Sequence, residues 1–100
     1  MPRTCDNLLP VKIDYTVHLW KEGDHYIAHA MPLDVASAGD QPEMARQALD
    51  EAVRLFLATA ADIGTMDQVL TDAGYERGGD GSWQSPRWIA VEHRAVAVAE

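Results

Sequence analysis

The chain has 100 residues, which is enough for one small domain with a single hydrophobic core. Its hydrophobic fraction of 47% indicates a folded protein, and its net charge of −8 argues against direct contact with nucleic acid, which requires a basic surface. Cys5 is the single cysteine, which excludes an internal disulfide, and the absence of a long apolar run predicts a cytoplasmic protein without membrane contact.

The N-terminal part of the chain predicts a flexible arm followed by three strands. Residues 1–10 have no periodicity, whereas apolar and polar residues alternate strictly from Val11 to Trp20, as they do in a half-buried strand. A turn at Glu22-Gly23 leads into a second strand from His25 to Met31. A short third strand is predicted from Val35 to Ala38.

The turn at Glu22-Gly23 also predicts which residues of the first two strands face each other. It places Trp20 opposite His25 and His18 opposite Ile27, with large apolar residues of strand one beside small residues of strand two on the inner face. The outer face mixes histidines with apolar side chains, and we predict that it binds another protein. The predicted partner-binding residues are His18, Trp20, His25, Ile27, His29 and Met31.

The stretch from Gly39 to Gly64 predicts a long amphipathic helix that covers the inner face of the sheet. Its apolar residues recur at intervals of three and four positions, and alanines on that stripe permit a close approach to a sheet. Asp40 and Glu43 have the spacing of a capping box, and Gly64 is placed to end the helix. The predicted buried stripe consists of Ala45, Ala48, Leu49, Ala52, Val53, Phe56, Ala60 and Ile63.

The C-terminal third of the chain predicts a short helix, a loop and a last strand. Thr65 to Gln68 has a second capping-box pattern, and Gly74 is placed to end the short helix that begins there. Residues 76–87 are rich in Gly, Ser and Asp, which predicts a loop, with Asp80-Gly81 as a candidate hairpin tip. Residues 88–99 predict a C-terminal strand whose apolar alternation changes parity near its middle, as at a bulge.

These elements predict one α+β domain over residues 1–100, with a three-to-four-stranded antiparallel sheet and one long helix on one face, in the order β-β-β-α-α-β. Several of its segments, between roughly Tyr15 and Tyr75, resemble the HicB-like antitoxin family. The matching segments are Glu22 to Ala28, Pro32-Leu33, Ala36 to Asp40, Pro42-Glu43 with Ala45, and Leu49 to Ala52. Gly64 to Leu70 and Gly74-Tyr75 resemble a subgroup of small HicB-like proteins. The resemblance implies a partial RNase H-like fold.

The resemblance also implies a function, which is to neutralise a small basic toxin that cleaves mRNA. The chain departs from the family pattern at Gln41, where threonine is expected, and at Met44, where a second glutamate is expected. Full-length family members often carry a DNA-binding segment after this domain, either a helix-turn-helix or a ribbon-helix-helix. Residues 76–100 resemble neither of them. We therefore expect a protein-binding module that is not an enzyme, needs no cofactor or metal, and does not contact nucleic acid directly.

Two alternative functions remain open on the sequence. The first is a homo-oligomer without a toxin, because the outer face and the C-terminal strand carry enough apolar surface to predict a dimer or tetramer. The second is a metal-dependent RNase H-like nuclease, for which Asp14 and Glu51 are the candidate acids, although no third acid lies on a central strand. The three outer-face histidines are a candidate zinc-ligand set, but exposed strand residues or a protein-binding surface explain them better.

Overall fold

The computed structural model describes residues 11–100, and the arm predicted for residues 1–10 lies outside the described residues. The predicted α+β fold class is confirmed, with a three-stranded antiparallel sheet and one long helix packed against it. The elements are β1 (Thr16–Glu22), β2 (His25–Met31), β3 (Val35–Gly39), α1 (Pro42–Asp62), α2 (Met66–Asp72), β4 (Glu76–Arg77) and β5 (Trp83–Gln84). Within residues 11–100, no helix is both long enough and apolar enough to cross a membrane.

The sheet has the order β1-β2-β3, and its two faces are the predicted ones although the predicted register is wrong. The turn lies at Gly23-Asp24, with a φ of 63° at the glycine, and Trp20 faces Ile27 rather than His25. Glycine with positive φ at the first central position is the type II′ arrangement, which matches the right-handed twist of the strands. The register differs from the prediction by two residues, so every side chain stays on its predicted face.

The helix α1 packs over β2 and β3 because the inner face of those strands is built from small residues. Ala28 and Ala30 of β2 are fully buried, in one core with Ala45 and Leu49 of the helix. The closest approach is at Gly39, where an added Cβ would lie 2.6 Å from the backbone nitrogen of Ala45. The predicted close approach of an alanine-rich helix to the sheet is therefore present, and the helix packs on the small side chains of β2 and β3.

Only part of the predicted helix stripe is buried. Val53 and Ala60 are in the core, but Phe56 is 37% exposed and Ile63 is 68% exposed, so the predicted burial of these two residues is wrong. The reason is length: α1 has 21 residues and spans roughly 31 Å, whereas the five residues of β3 span about 17 Å. The C-terminal half of α1 therefore extends past the strand on which its first half packs.

The helix ends are where the glycines predict them, but the predicted capping boxes do not form. α1 begins after Gln41, whose side chain makes no capping hydrogen bond, and the carboxylate of Asp40 lies 3.6 Å from His25 instead. Thr65 is the N-cap of α2, yet its hydroxyl donates to a carbonyl of the preceding helix. Gly64 has a φ of 78°, the left-handed conformation that commonly ends a helix.

The C-terminal region differs most from the sequence prediction. Residues 76–87, predicted as a loop with a candidate hairpin tip at Asp80-Gly81, contain the short hairpin of β4 and β5, whose connection includes that tip. A parallel bridge between Trp83 and Ile13 joins this hairpin to the rest of the fold. Trp83 is buried and belongs to the core. Residues 88–99 form neither helix nor strand, so the strand prediction is wrong for the chain alone. A strand requires hydrogen-bonding neighbours, and the described chain supplies none here.

Tyr75 connects the start of the hairpin to the segment that precedes β1. The residue is 4% exposed, and its hydroxyl donates a hydrogen bond to the backbone carbonyl of Asp14. Burial, together with the nearby charge of Asp14 and the phenol of Tyr15, raises the pKa of Tyr75 to about 12. The fold therefore favours the neutral phenol.

Leu49→Ala and Leu55→Ala form a matched pair on α1, because the first residue is 1% exposed and the second is 63% exposed. We expect Leu49→Ala to lower the free energy of unfolding by ~2–5 kcal/mol, since it leaves a cavity in the core. Leu55→Ala should lower it by about 0.5 kcal/mol or less. Urea denaturation followed by circular dichroism measures both values, and equal losses would contradict the assigned buried face of the helix.

Tyr75→Phe should change how stability depends on alkaline pH. Because the folded pKa of Tyr75 lies above its ordinary value of 10, its contribution is complete below pH 10 and is lost as the pH rises toward 12. The variant should be less stable than the parent by about 1 kcal/mol near pH 8, and this difference should shrink between about pH 10 and pH 12. Denaturation across that range measures it, with Tyr26→Phe as the control. A constant difference would contradict the assignment.

Candidate functional site

The outer face of the sheet, which points away from α1, contains all six residues predicted to bind a partner. β1 and β2 contribute them in cross-strand pairs, and β3 adds only Ala36 and Ala38, opposite His29 and Ile27. The outer-face side chains are therefore large on β1 and β2 and small on β3, so the surface is lower at the β3 edge. The pairs are Thr16 with Met31, His18 with His29, Trp20 with Ile27, and Glu22 with His25.

Four rings form a row across this outer face. Trp20 lies edge-on to His29 and Trp88 lies edge-on to His18, each with 6.2 Å between ring centroids. His18 and His29 are directly opposite each other on adjacent strands, so the row runs from Trp20 through both histidines to Trp88. Edge-to-face contact is a favourable arrangement of such rings. Sequence reasoning missed this row, because the wrong register separated the two histidines and Trp88 was assigned to a distant strand.

Carboxylates line the margin of the outer face. The Nε2 atom of His29 lies 2.6 Å from Oδ1 of Asp34, and Nδ1 of His25 lies 3.6 Å from Oδ1 of Asp40. Both aspartate side chains are still 81% exposed, so they remain open to a positively charged partner. A third carboxylate, that of Glu22, accepts a hydrogen bond from the indole nitrogen of Trp20. The outer face therefore combines an aromatic and apolar centre with an acidic margin.

His18 lies at the centre of the ring row. Its Nε2 atom is buried and has no hydrogen-bond partner among the described residues. A buried nitrogen without a partner costs on the order of 1–3 kcal/mol. Trp88, which packs against this ring, remains 44% exposed itself. The free energy cost of the unpaired nitrogen therefore has to be offset by the packing of the His18 ring.

The three histidines of the outer face do not converge as a zinc-ligand set. His18 faces His29, but His25 lies four residues from His29 along β2, roughly 13 Å away. Zinc requires ligand atoms about 2 Å from the metal, so ligands on one ion must lie close together. In the part of the chain that the structure describes, no group of three or more His, Cys, Asp or Glu side chains is placed to hold a metal ion.

Asp14 and Glu51, the two acids considered for a metal-dependent nuclease, differ in their contacts. Asp14 precedes β1, and its two carboxylate oxygens accept hydrogen bonds from the backbone nitrogen and the hydroxyl of Ser85, at 2.8 and 2.6 Å. This contact connects residues far apart in the sequence and holds the segment after β5 in place. Glu51 is exposed on α1. The structure therefore gives Asp14 a structural contact that the sequence did not predict.

A second surface, the β1 groove, lies between the segment that leads into β1 and the facing side of α1. The hydroxyl of Tyr15 donates to Oδ1 of Asp50 at 3.1 Å across this groove. Burial, followed by the hydrogen bond and charge of Asp50, raises the pKa of Tyr15. Sequence reasoning did not identify the groove, which depends on how far α1 sits from the edge of the sheet. Its apolar lining includes Ile13, Tyr15, Val17, Val53, Leu57 and Met66.

Comparison of the chain with known proteins gives no match to a family model, to a curated protein or to a solved structure. The HicB-like resemblance therefore stays a prediction that rests on the sequence segments that carry it. The features of the molecule that bear on its function are the outer face, the β1 groove and the net charge of the chain.

Proposed function

We propose that this chain is a non-catalytic protein-binding module of the HicB-like antitoxin type. The observation that carries the proposal is the composition of the outer face, where Trp20, Ile27 and Met31 lie among three histidines on the side of the sheet away from α1. Trp20 is 42% exposed. Aromatic residues and methionine are enriched in protein interfaces, and methionine adapts its shape to a partner.

The charge of the chain indicates the chemistry of the partner. The net charge is −8, and the carboxylates of Glu22, Asp34 and Asp40 lie at the margin of the outer face. Complementary charge accelerates association and orients the two surfaces before apolar contacts form. A basic protein is therefore the best partner, and a toxin that holds RNA is basic because it must contact phosphates.

In this proposal the module neutralises the toxin by covering its active site. The acidic margin would occupy the basic groups that otherwise bind RNA phosphates, and the aromatic centre would exclude water from the contact. The place of action would be the cytoplasm, where mRNA is translated and where a chain with a single cysteine needs no disulfide.

The two alternative functions, a metal-dependent nuclease and a homo-oligomer without a toxin, are not equally supported. Nuclease activity would need Asp14 as a metal ligand, and both oxygens of that carboxylate are engaged by Ser85. A homo-oligomer without a toxin is favoured by a separate observation, the exposed apolar surface of residues 88–100. That observation is compatible with the proposed function, because it concerns a different part of the surface.

We expect a neighbouring gene to encode a small basic protein that binds this chain. Trp20→Ala should weaken that binding, measured by calorimetry with both purified proteins. We expect at least a tenfold loss of affinity, since a central tryptophan is a common hot spot of binding energy. The same variant should lose its ability to suppress RNA cleavage by that protein. Asp34→Asn should weaken binding less and should make it less sensitive to salt.

Leu55→Ala is the matched control, because Leu55 is an exposed apolar residue on α1, away from the outer face. It should bind with unchanged affinity. Circular dichroism of each variant checks that the fold is retained. Equal binding by the parent and Trp20→Ala would overturn the assignment of the outer face, and failure of the parent to bind the basic protein would overturn the proposed function.

A further inference from the structure

β1 is an edge strand with unused hydrogen-bonding capacity. In the sheet order β1-β2-β3, it pairs with β2 on one side, and no strand of the described three-stranded sheet lies on its other side. An exposed edge presents a row of backbone N–H and C=O groups that can pair with a further strand. The β1 groove opens beside this edge, and Val17 at its margin is 42% exposed.

The chain begins a further strand at this edge and then leaves it. Trp83 pairs in parallel with Ile13, just before β1 starts. Pro86 follows three residues later, and it cannot continue the ladder because proline has no N–H to donate. Ser85 then contacts Asp14 and Trp88 contacts His18, so residues 85–88 run beside β1 without forming a strand with it. The edge of β1 beyond that point is therefore left unpaired by its own chain.

Residues 88–100, the C-terminal segment, carry apolar surface that the rest of the described chain does not cover. All of these residues are exposed, and the exposed fractions of Ile89, Val91, Val96 and Val98 are 90%, 71%, 85% and 77%. The segment contains no Gly, Pro, Asn, Asp or Ser, which are the residues that favour turns. Residues 83–88 run beside β1 in the same direction, so the chain passes the end of β1 about four residues after Trp88. A return of residues 93–100 to their own β1 would need a sharp reversal, for which the sequence has no suitable residue.

We propose that the C-terminal segment of one copy adds as a strand to the free edge of β1 in a second copy, and that two copies exchange their segments reciprocally. This inference goes beyond the proposed function, because it concerns self-association through the β1 edge and the β1 groove. A twofold dimer is the commonest closed assembly of identical chains, and exchange of an identical element is a low-cost route to it. It also protects an edge that would otherwise favour aggregation.

The chemistry of the segment fits this position. Side chains alternate in a strand, so Val96 and Val98 share one side while Ala95, Ala97 and Ala99 share the other. The valines can contact the apolar side chains of the β1 groove, whose α1 side also carries charged residues such as Arg46 and Asp50. The alanines leave room beside the crowded rings of the outer face.

The size of the exchanged contact approaches that of a stable dimer. Trp88 packs on its own chain, so each copy contributes the twelve residues that follow it and the seven residues of β1. This is just below the roughly 20–30 residues per side that stable interfaces use. The exchange covers apolar side chains of the segment that a single copy leaves exposed.

The oligomeric state tests the proposal. Sedimentation velocity of the full chain at tens of micromolar and neutral pH should give a dimer, and the double variant Val96→Asp with Val98→Asp should raise the dissociation constant at least tenfold. Because both valines are exposed in the single copy, the variant should keep the parent's circular dichroism spectrum. Leu55→Asp, which adds a negative charge on α1 instead, should remain dimeric. A monomeric parent, or a double variant that dimerises as the parent does, would overturn the proposal.

A crosslinking experiment distinguishes exchange from a segment that folds back on its own chain. In a Cys5→Ser background, one copy carries Val17→Cys and another carries Val98→Cys, so neither copy can form an internal disulfide. After mixing and mild oxidation, we expect a disulfide-linked dimer that contains one copy of each kind. Leu55→Cys in place of Val17→Cys is the control and should give little of this product. Equal yields from the two mixtures, or no mixed product, would overturn the exchange.

Discussion

The close approach of α1 to β2 and β3 is the contact on which the rest of the structure depends. It is possible because Ala28, Ala30 and Gly39 present almost no side-chain volume to the helix, where Ala45 is equally small. A helix seated so closely over two strands buries one face of the sheet and leaves the other free. It also leaves β1 at the edge, so the same contact produces both the open outer face and the β1 groove.

The two resulting surfaces differ in chemistry and therefore suit different partners. The outer face combines rings with exposed carboxylates, which favours a basic protein. The β1 groove combines apolar side chains with an unpaired strand edge, which favours an extended apolar segment. Trp88 connects the two surfaces, because it packs on His18 of the outer face and begins the C-terminal segment. Partner binding and self-association can therefore influence each other through this one contact.

The hairpin of β4 and β5 closes the end of the core that the three-stranded sheet does not reach. Trp83 and Tyr75 are buried there, and Arg77 lies 4.8 Å from the centre of the Trp83 ring. The hydrogen bonds from Tyr75 and Ser85 to Asp14 hold the hairpin against the segment before β1. These contacts join residues more than sixty positions apart, and no local pattern in the sequence predicts such pairs.

The sequence by itself determined which face each side chain of the first hairpin takes, the order of the first three strands and two helices, and where Gly64 ends α1, because alternation, helical periodicity and glycine conformation are local properties. It placed the six outer-face residues on one surface for the same reason. It did not determine the start of β1, which begins at Thr16 rather than Val11. Only the tertiary structure decided that His18 faces His29, that Phe56 is exposed and that residues 88–99 lack a strand. Each of these depends on something local patterns do not contain: the turn that sets the register, the length of the sheet beneath the helix, and the presence of a neighbouring strand.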